Sequence, residues 1–127
     1  MPIRPGMKRE QRLRRRKDFD AAYRRGRVQG NQLLVIRVHA NGSGVTRFGF
    51  VAGKAIGGAV VRNRVKRRLR EAAQRIEVRP GFDVVIGARK PSPSAPYQKL
   101  YQSLYALSKR AGVLAMPASA IDAQENA

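Results

Sequence analysis

The sequence predicts an α+β layer sandwich, in which helices cover a single β-sheet. Three segments are rich in Val, Ile, Leu and Phe, and two longer segments repeat their apolar residues at helical spacing. In chain order the elements read helix, hairpin, helix, strand, helix, a mixture that packs as layers around one core. Because 127 residues suffice for one modest core, we expect a single domain over residues 17–112.

The N-terminal region combines a basic arm with a short helix. Residues 1–16 hold seven cations and one acid, which predicts a flexible arm. A helix is expected over residues 17–26, KDFDAAYRRG, with Asp18 as its N-cap and Gly26 at its end.

Three strands follow from the β-rich segments. LLVIRVHA (33–40) and VTRFGFVA (45–52) flank the sequence NGSG, a strong turn signal, and we therefore expect them to pair as a hairpin. FDVVIGAR (82–89) is the third predicted strand.

Two amphipathic helices complete the domain. In residues 59–76 the apolar side chains fill an arc of roughly 120°, as expected for a helix packed on a sheet. Residues 97–112 form the second helix, with Leu100, Leu104 and Leu107 facing inward. The tail, residues 113–127, is expected to be disordered.

The charge of the chain points to a polyanionic partner. With 27 Lys and Arg against 8 Asp and Glu, the net charge is +19 and the pI is near 11.7, a usual mark of nucleic-acid binding. An anionic membrane is the competing partner, but no lipid-facing helix, lipidation signal or apolar run of membrane length is evident. The absence of cysteine excludes disulfides, and the N-terminus lacks the apolar stretch of a secretory signal, so we expect an intracellular protein.

The helix at residues 59–76 concentrates this charge. Six cations lie between Arg62 and Arg70, without the interleaved acids that stabilise a solvated helix. A solvated face is the ordinary interpretation of such a run, but the missing acids favour a phosphate-binding face. Asn63, within the run, is either a tolerated surface residue or a polar contact. Gly57 and Gly58 before the helix form a tight turn, leave its N-terminus open to a phosphate, or do both.

Aromatic side chains offer a second candidate site. Phe19 and Tyr23 lie one helical turn apart, and Arg24, Arg25 and Arg27 follow them. The two rings either pack into the core or stack with unpaired bases.

A catalytic site within the protein is not indicated. The chain has one histidine, His39, which we expect to be structural or exposed, and no cysteine. Its acids show no cluster of the kind that two-metal nucleases use.

Three segments, KDFDAAYRRG, TRFGFVAGKAIGGAVVRNRVKRRLRE and PGFDVVIGARKP, resemble the protein subunit of bacterial ribonuclease P. The resemblance covers residues 8–111. It implies a cytoplasmic ribonucleoprotein endonuclease that removes the 5′ leader from precursor tRNA. Catalysis then resides in the RNA subunit, which uses magnesium, and the protein binds that RNA and the leader. One monomeric protein copy per RNA subunit is implied, without a membrane or a metal bound by the protein.

The resemblance also assigns roles to residues. The RNA subunit would contact Arg62, Asn63, Arg64, Lys66, Arg67, Arg68 and Arg70. The leader would lie in a cleft beside Phe19, Tyr23 and Lys54. The implied fold has a four-stranded mixed sheet with a left-handed crossover, against the general right-handed rule. Two positions depart from the family: Ala55 lacks a common cation, and Ile36 stands where some members place an aromatic toward the leader.

Two rival functions follow from the same features. A structural RNA-binding protein, such as a ribosomal protein, would share the charge and the layered plan. A protein-only nuclease is disfavoured by the scattered acids.

Overall fold

The computed structural model describes residues 7–115 and has the elements predicted from local patterns, together with the fourth strand that the family resemblance implies. The helices are α1 (Arg16–Arg25), α2 (Ala59–Gln74) and α3 (Tyr97–Arg110). The strands are β1 (Arg27–Gly30), β2 (Leu34–Ala40), β3 (Arg47–Val51) and β4 (Phe82–Ala88). Short 3-10 turns occupy Arg9–Gln11, Lys54–Ile56 and Ser92–Ser94. The four strands form one mixed sheet, so the predicted α+β fold class is confirmed.

The predicted hairpin of the two long strands is wrong. The strand order is β1-β2-β4-β3, so β4 lies between β2 and β3. It pairs antiparallel with β2 and parallel with β3. The turn at Asn41 does reverse the chain, and the Asn41 amide donates to the Val45 carbonyl at 3.0 Å. However, β4 has four consecutive buried residues, at 83–86, which need cover on both faces and therefore a central position.

The additional strand is β1, which pairs antiparallel with β2 at the edge of the sheet. Its sequence, RVQG, has a single apolar residue, Val28, and no alternating pattern. This segment therefore forms a strand because it pairs with β2, and its own sequence hardly predicts one.

The sheet has two differently covered faces. Helices α2 and α3 cover one of them, and Leu34, Ile36 and Val38 of β2 point into that core. Helix α1 packs on the other face, where Ala22 meets Leu13 and Val85. Ile36 is fully buried on the α2 and α3 side, so this position does not correspond to the family position whose aromatic faces the leader.

The segments beside the predicted domain also contact it. Within the predicted arm, Met7 and Leu13 are buried, and the Leu13 amide donates to the Phe48 carbonyl at 2.8 Å. Within the predicted tail, Val113 is buried and Leu114 bridges to Val78. The rest of the arm and of the tail, residues 1–6 and 116–127, lies outside the described residues.

The start of α1 differs from the prediction. Arg15 is the N-cap residue, and Asp18 lies within the first turn. The Asp18 carboxylate instead contacts the Arg47 guanidinium on β3. Gly26 ends the helix as predicted, and its amide donates to the Ala22 carbonyl at 2.9 Å.

Candidate nucleic-acid interface

Helix α2 is held to the sheet by one apolar face. Val65, Leu69 and Ala72 have no exposed surface, and Ala73 is nearly as buried. Burying a Val or Leu side chain contributes about 1.5–3 kcal/mol. This anchoring fixes which way the remaining side chains of α2 point.

The predicted RNA-contacting residues all lie on α2 outside its fully buried face. Three are exposed and four are half-buried. The exposed residues are Asn63, Arg64 and Arg67, and the half-buried ones are Arg62, Lys66, Arg68 and Arg70. Arg70 lies over the Phe50 ring, with its guanidinium carbon 5.6 Å from the ring centroid. We call these seven residues the basic face of α2.

The basic face has no internal counter-charge among the described residues. Glu71 is the one acid of α2, and its carboxylate contacts Arg75 at 3.1 Å. In residues 7–115 no cation of the basic face forms an ion pair with a carboxylate. An external polyanion is the natural source of the missing negative charge.

A small groove opens at the first turns of this face. Its volume is about 240 Å³, and Ala52, Ala59, Arg62, Asn63 and Lys66 line it. The Nε atom of Arg62 is buried and has no hydrogen-bond partner among the described residues. A buried donor of this kind requires an acceptor, such as a phosphate oxygen or a water molecule.

At the N-terminus of α2, both interpretations of Gly57 and Gly58 hold: they form a tight turn and leave the first helical amides open. Gly57 has φ of 146°, a conformation that favours glycine, so the tight-turn interpretation holds. Gly58 is the N-cap and provides no side-chain cap. The first amides of the helix are therefore without a capping side chain, as in helix N-termini that bind anions.

The second candidate site lies on the other face of the sheet, beside α1. Phe19 packs directly on Gly49, where an added Cβ would lie 2.5 Å from the ring. It is half-buried and adjoins the cluster of Leu13, Ala22 and Val85. Phe19 therefore mainly packs α1 onto the sheet.

Tyr23 is placed differently from Phe19. Its side chain is 44% exposed, and the Arg37 guanidinium carbon lies 4.5 Å from its ring centroid. A ring stacked on one side by a guanidinium and exposed elsewhere can still receive a base. Sequence patterns alone do not reveal Arg37, because a single arginine on a β-strand gives no distinctive signal.

The part of the sheet that continues from Tyr23 is open and shallow. Val35, Gly87 and Val51 are cross-strand neighbours on the face that carries α1, and all three are half-buried. Gly87 has no side chain, and Val35 lies against the place where its Cβ would be. Lys54 is exposed in the 3-10 turn that follows β3. We call Tyr23, Arg37 and this open part of the sheet the α1 groove.

A partly buried polar network, centred on the buried Asp83, fixes α1 beside this groove. The Arg47 Nε and one terminal nitrogen donate to the two Asp83 oxygens at 2.8 and 2.7 Å. The other terminal nitrogen contacts Asp18 of α1 at 3.3 Å. Asp83 also accepts from Asn41 at 2.9 Å. Hydrogen bonding to Asp83, more than any other interaction, raises the pKa of Arg47.

Within residues 7–115 no three His, Asp or Glu side chains are grouped as metal ligands. His39 is half-buried opposite Asp83 in the β2–β4 pairing. Among the helices described, none is long and apolar enough to cross a membrane.

The chain is similar in both sequence and fold to proteins of one family. The family model described as Ribonuclease P matches residues 7–112. The ribonuclease P protein component of Symbiobacterium thermophilum is 42% identical over 111 residues, which cover 85% of this chain and 96% of that protein. The protein component of Streptomyces avermitilis is 46% identical over 112 residues, covering 80% of this chain and 91% of the relative.

Solved structures give the same result for the fold. The RNase P protein of Staphylococcus aureus superposes with a TM-score of 0.75 at 27% identity, over 83% of this chain and 98% of that one. The RNase P protein from Thermotoga maritima gives a TM-score of 0.70 at 32% identity, over 78% and 96% of the two chains.

Proposed function

Because this chain belongs to the ribonuclease P protein family, we propose that it is the protein component of a ribonucleoprotein that removes the 5′ leader of precursor tRNA. The RNA subunit carries out the cleavage and holds the magnesium. One protein copy binds each RNA subunit, in the cytoplasm, and also contacts the leader. Family membership supports the place in tRNA processing, and the surface of the protein supports the division of roles.

The single observation that carries the proposal is the basic face of α2. Its cations are held on a helix that is anchored by Val65 and Leu69, and none has a carboxylate partner among the described residues. Guanidinium groups match phosphate oxygens with two parallel hydrogen bonds, and the buried Arg62 Nε requires an acceptor. This face is therefore assigned to the RNA subunit.

The leader is assigned to the α1 groove. A single-stranded RNA needs ring faces for its bases and cations for its phosphates. Tyr23 presents a partly exposed ring, Arg37 a stacked guanidinium, and Lys54 an exposed ammonium at the end of β3. Phe19 contributes by fixing α1 on Gly49.

The protein assists the reaction through its charge. A catalytic RNA and an RNA substrate repel one another, and a protein of net charge +19 between them offsets that repulsion. Binding to phosphates also releases condensed counterions, which favours assembly.

Reconstitution with the RNA subunit tests the proposal. At low magnesium the RNA subunit alone should cleave precursor tRNA poorly, and the purified protein should restore leader removal. Arg64→Glu with Arg67→Glu should weaken binding to the RNA subunit by about a hundredfold, since two charge-assisted contacts contribute roughly 1.5 kcal/mol each.

A matched control separates this effect from net charge. Lys99→Glu with Arg110→Glu changes two exposed cations of α3 and lowers the formal charge equally, from +19 to 19 − 4 = +15. The control protein should still restore cleavage. Cleavage by the protein alone would instead indicate a protein nuclease, and a protein without effect on the RNA would indicate a structural RNA-binding role.

A further inference from the structure

Helix α3 carries an aromatic surface that the proposed function does not use. Tyr97, Tyr101 and Tyr105 follow one another at intervals of four residues, which places them along one side of the helix. We call them the tyrosine stripe. They lie on α3, which packs on the α2 side of the sheet, whereas the α1 groove is on the opposite face.

Core packing explains the tyrosine stripe only in part. Tyr97 and Tyr101 are partly buried against the main core, but Tyr105 belongs to neither buried cluster and is 43% exposed. The rings of Tyr101 and Tyr105 are stacked, with centroids 6.4 Å apart and planes 28° apart. Tyr105 therefore extends the ring surface of Tyr101 into solvent, where a ligand can reach it.

A groove lies beside the first two rings of the stripe. Its volume is about 370 Å³, and Arg75, Tyr97, Gln98 and Tyr101 line it. The Arg75 guanidinium carbon lies 5.6 Å from the Tyr97 ring centroid. The Tyr97 hydroxyl is buried and has no hydrogen-bond partner among the described residues. Ring faces, an amide and a guanidinium are the groups that bind a nucleobase.

Cations stand at both ends of the tyrosine stripe. Arg75 lies at the Tyr97 end, and Lys109 follows Tyr105 by one turn of α3 and is exposed. Glu71 neutralises part of the Arg75 charge through a contact of 3.1 Å. Lys109 has no carboxylate partner among the described residues, so the surface keeps a net positive charge, as a ligand with phosphates requires.

We propose that the tyrosine stripe is a stacking platform for unpaired bases of single-stranded RNA, separate from the basic face of α2 and from the α1 groove. Every nucleobase has an aromatic face, so such a platform binds RNA with little sequence preference, and the flanking cations hold the backbone. A second copy of this chain is a poorer occupant, because two molecules of charge +19 repel each other.

Tyrosine fluorescence tests this proposal directly. The chain has four tyrosines and no tryptophan, so Tyr23→Ala removes the ring of the α1 groove and leaves the tyrosine stripe as the only tyrosine emission. Adding Arg64→Glu and Arg67→Glu to this protein weakens binding at the basic face of α2. At physiological ionic strength, we expect a short labelled oligoadenylate to quench the tyrosine emission as it binds. The midpoint of this quenching should equal the midpoint of the rise in anisotropy of the labelled RNA.

Substitutions within the tyrosine stripe provide the controls. Both substitutions, Tyr101→Leu with Tyr105→Leu, are made in the same background, and RNA binding is measured by anisotropy. They should weaken oligoadenylate binding at least about fivefold, which is the smallest effect expected for the loss of one stacked base. The matched pair Tyr101→Phe with Tyr105→Phe keeps both rings and should bind normally. If the leucine pair unfolds, as judged by circular dichroism, the exposed change Tyr105→Leu alone should still weaken binding.

Three results would overturn the proposal. The first is unchanged tyrosine emission while the labelled oligoadenylate binds. The second is an equal loss of affinity in the phenylalanine and leucine pairs. The third is a dimer in sedimentation that Tyr105→Leu dissociates, since the stripe would then join two protein copies. None of these results bears on the reconstitution with the RNA subunit, so the two proposals fail independently.

Discussion

Arg47 connects three parts of the chain through one guanidinium. It binds both oxygens of Asp83 on β4 and contacts Asp18 of α1, so it joins two strands of the sheet to the helix above them. The Asp83 side chain is 4% exposed, and a charge buried to that extent depends on its partner. In sequence, Arg47 and Asp83 are 36 residues apart, and neither looks different from an ordinary charged residue of a strand.

Replacing Arg47 tests the importance of this pairing. Arg47→Met should lower the free energy of unfolding by about 3 kcal/mol, because Asp83 is left as a buried charge with Asn41 as its remaining partner. Urea denaturation at neutral pH measures the change.

The exposed pair of Arg75 and Glu71 is the control for Arg47. Both side chains are more than half exposed, so Arg75→Met should change the stability by less than about 1 kcal/mol. Equal effects of the two substitutions would show that Arg47 is not a structural anchor.

At the scale of elements, α1 presents its two aromatics in different ways. From the sequence, Phe19 and Tyr23 form a pair suited either to packing or to stacking. In the structure Phe19 lies on Gly49, whereas Tyr23 is 44% exposed over Arg37. Each interpretation therefore fits one of the two residues, because residues four apart on a helix differ by about 40° in direction.

Separate substitutions of the two rings distinguish these roles. Phe19→Ala should lower the free energy of unfolding by about 2 kcal/mol, less than a fully buried ring would. Tyr23→Ala should leave stability nearly unchanged and weaken holoenzyme binding of precursor tRNA by about 1–3 kcal/mol, with little effect on mature tRNA.

Filter binding with both tRNAs measures the Tyr23 effect, and Tyr23→Phe is its matched control because it keeps the ring. Equal weakening of precursor and mature tRNA by Tyr23→Ala would contradict the assignment of the leader to the α1 groove.

The order of the strands is also decided at the scale of elements. β2 and β3 are neighbours in sequence and are joined by a turn, which made a hairpin the simplest expectation. The run of four buried residues in β4 requires cover on both sides, so β4 takes the centre of the sheet. A parallel β3–β4 pair then requires a crossover, and α2 provides it. The left-handedness of this crossover stays a prediction.

At the scale of the whole molecule, the charge of +19 distinguishes this protein from an ordinary enzyme. Two candidate surfaces, the basic face of α2 and the α1 groove, lie on opposite sides of one sheet. A protein with RNA-binding surfaces on both sides can contact an RNA subunit and a substrate at once, which is the role that we propose.

Added salt should reduce the contribution of the protein to the binding of precursor tRNA. At constant magnesium, the ratio of precursor tRNA affinity with the protein to that without it should fall as monovalent salt rises. For six phosphate contacts on a single strand the expected fall is about three hundredfold between roughly 50 and 200 mM salt. Arg24→Gln with Arg25→Gln should make the dependence shallower if these exposed cations of α1 contact phosphates. A ratio that does not change with salt would contradict the charge mechanism.

Local patterns in the sequence were sufficient to predict most of the helices and strands of this protein and the class of its partner. Apolar spacing predicted α2 and α3, β-rich runs predicted three of the four strands, and the charge predicted a polyanionic partner. The basic face of α2 could also be predicted from the sequence, because the apolar residues that anchor a helix determine which way its other residues point. Family resemblance, from the segment RNRVKRRLRE and its setting, supplied the function.

Only the tertiary structure decided the features that depend on distant residues. It placed β4 between β2 and β3, turned Ile36 away from the α1 groove, and joined Arg47 to Asp83 and Asp18. It also left Tyr105 outside the core while the leucines of the same helix were buried. The physical reason is the same in each case. Helical and strand periodicity act over a few residues, whereas strand order, burial and ion pairing depend on which distant segments meet.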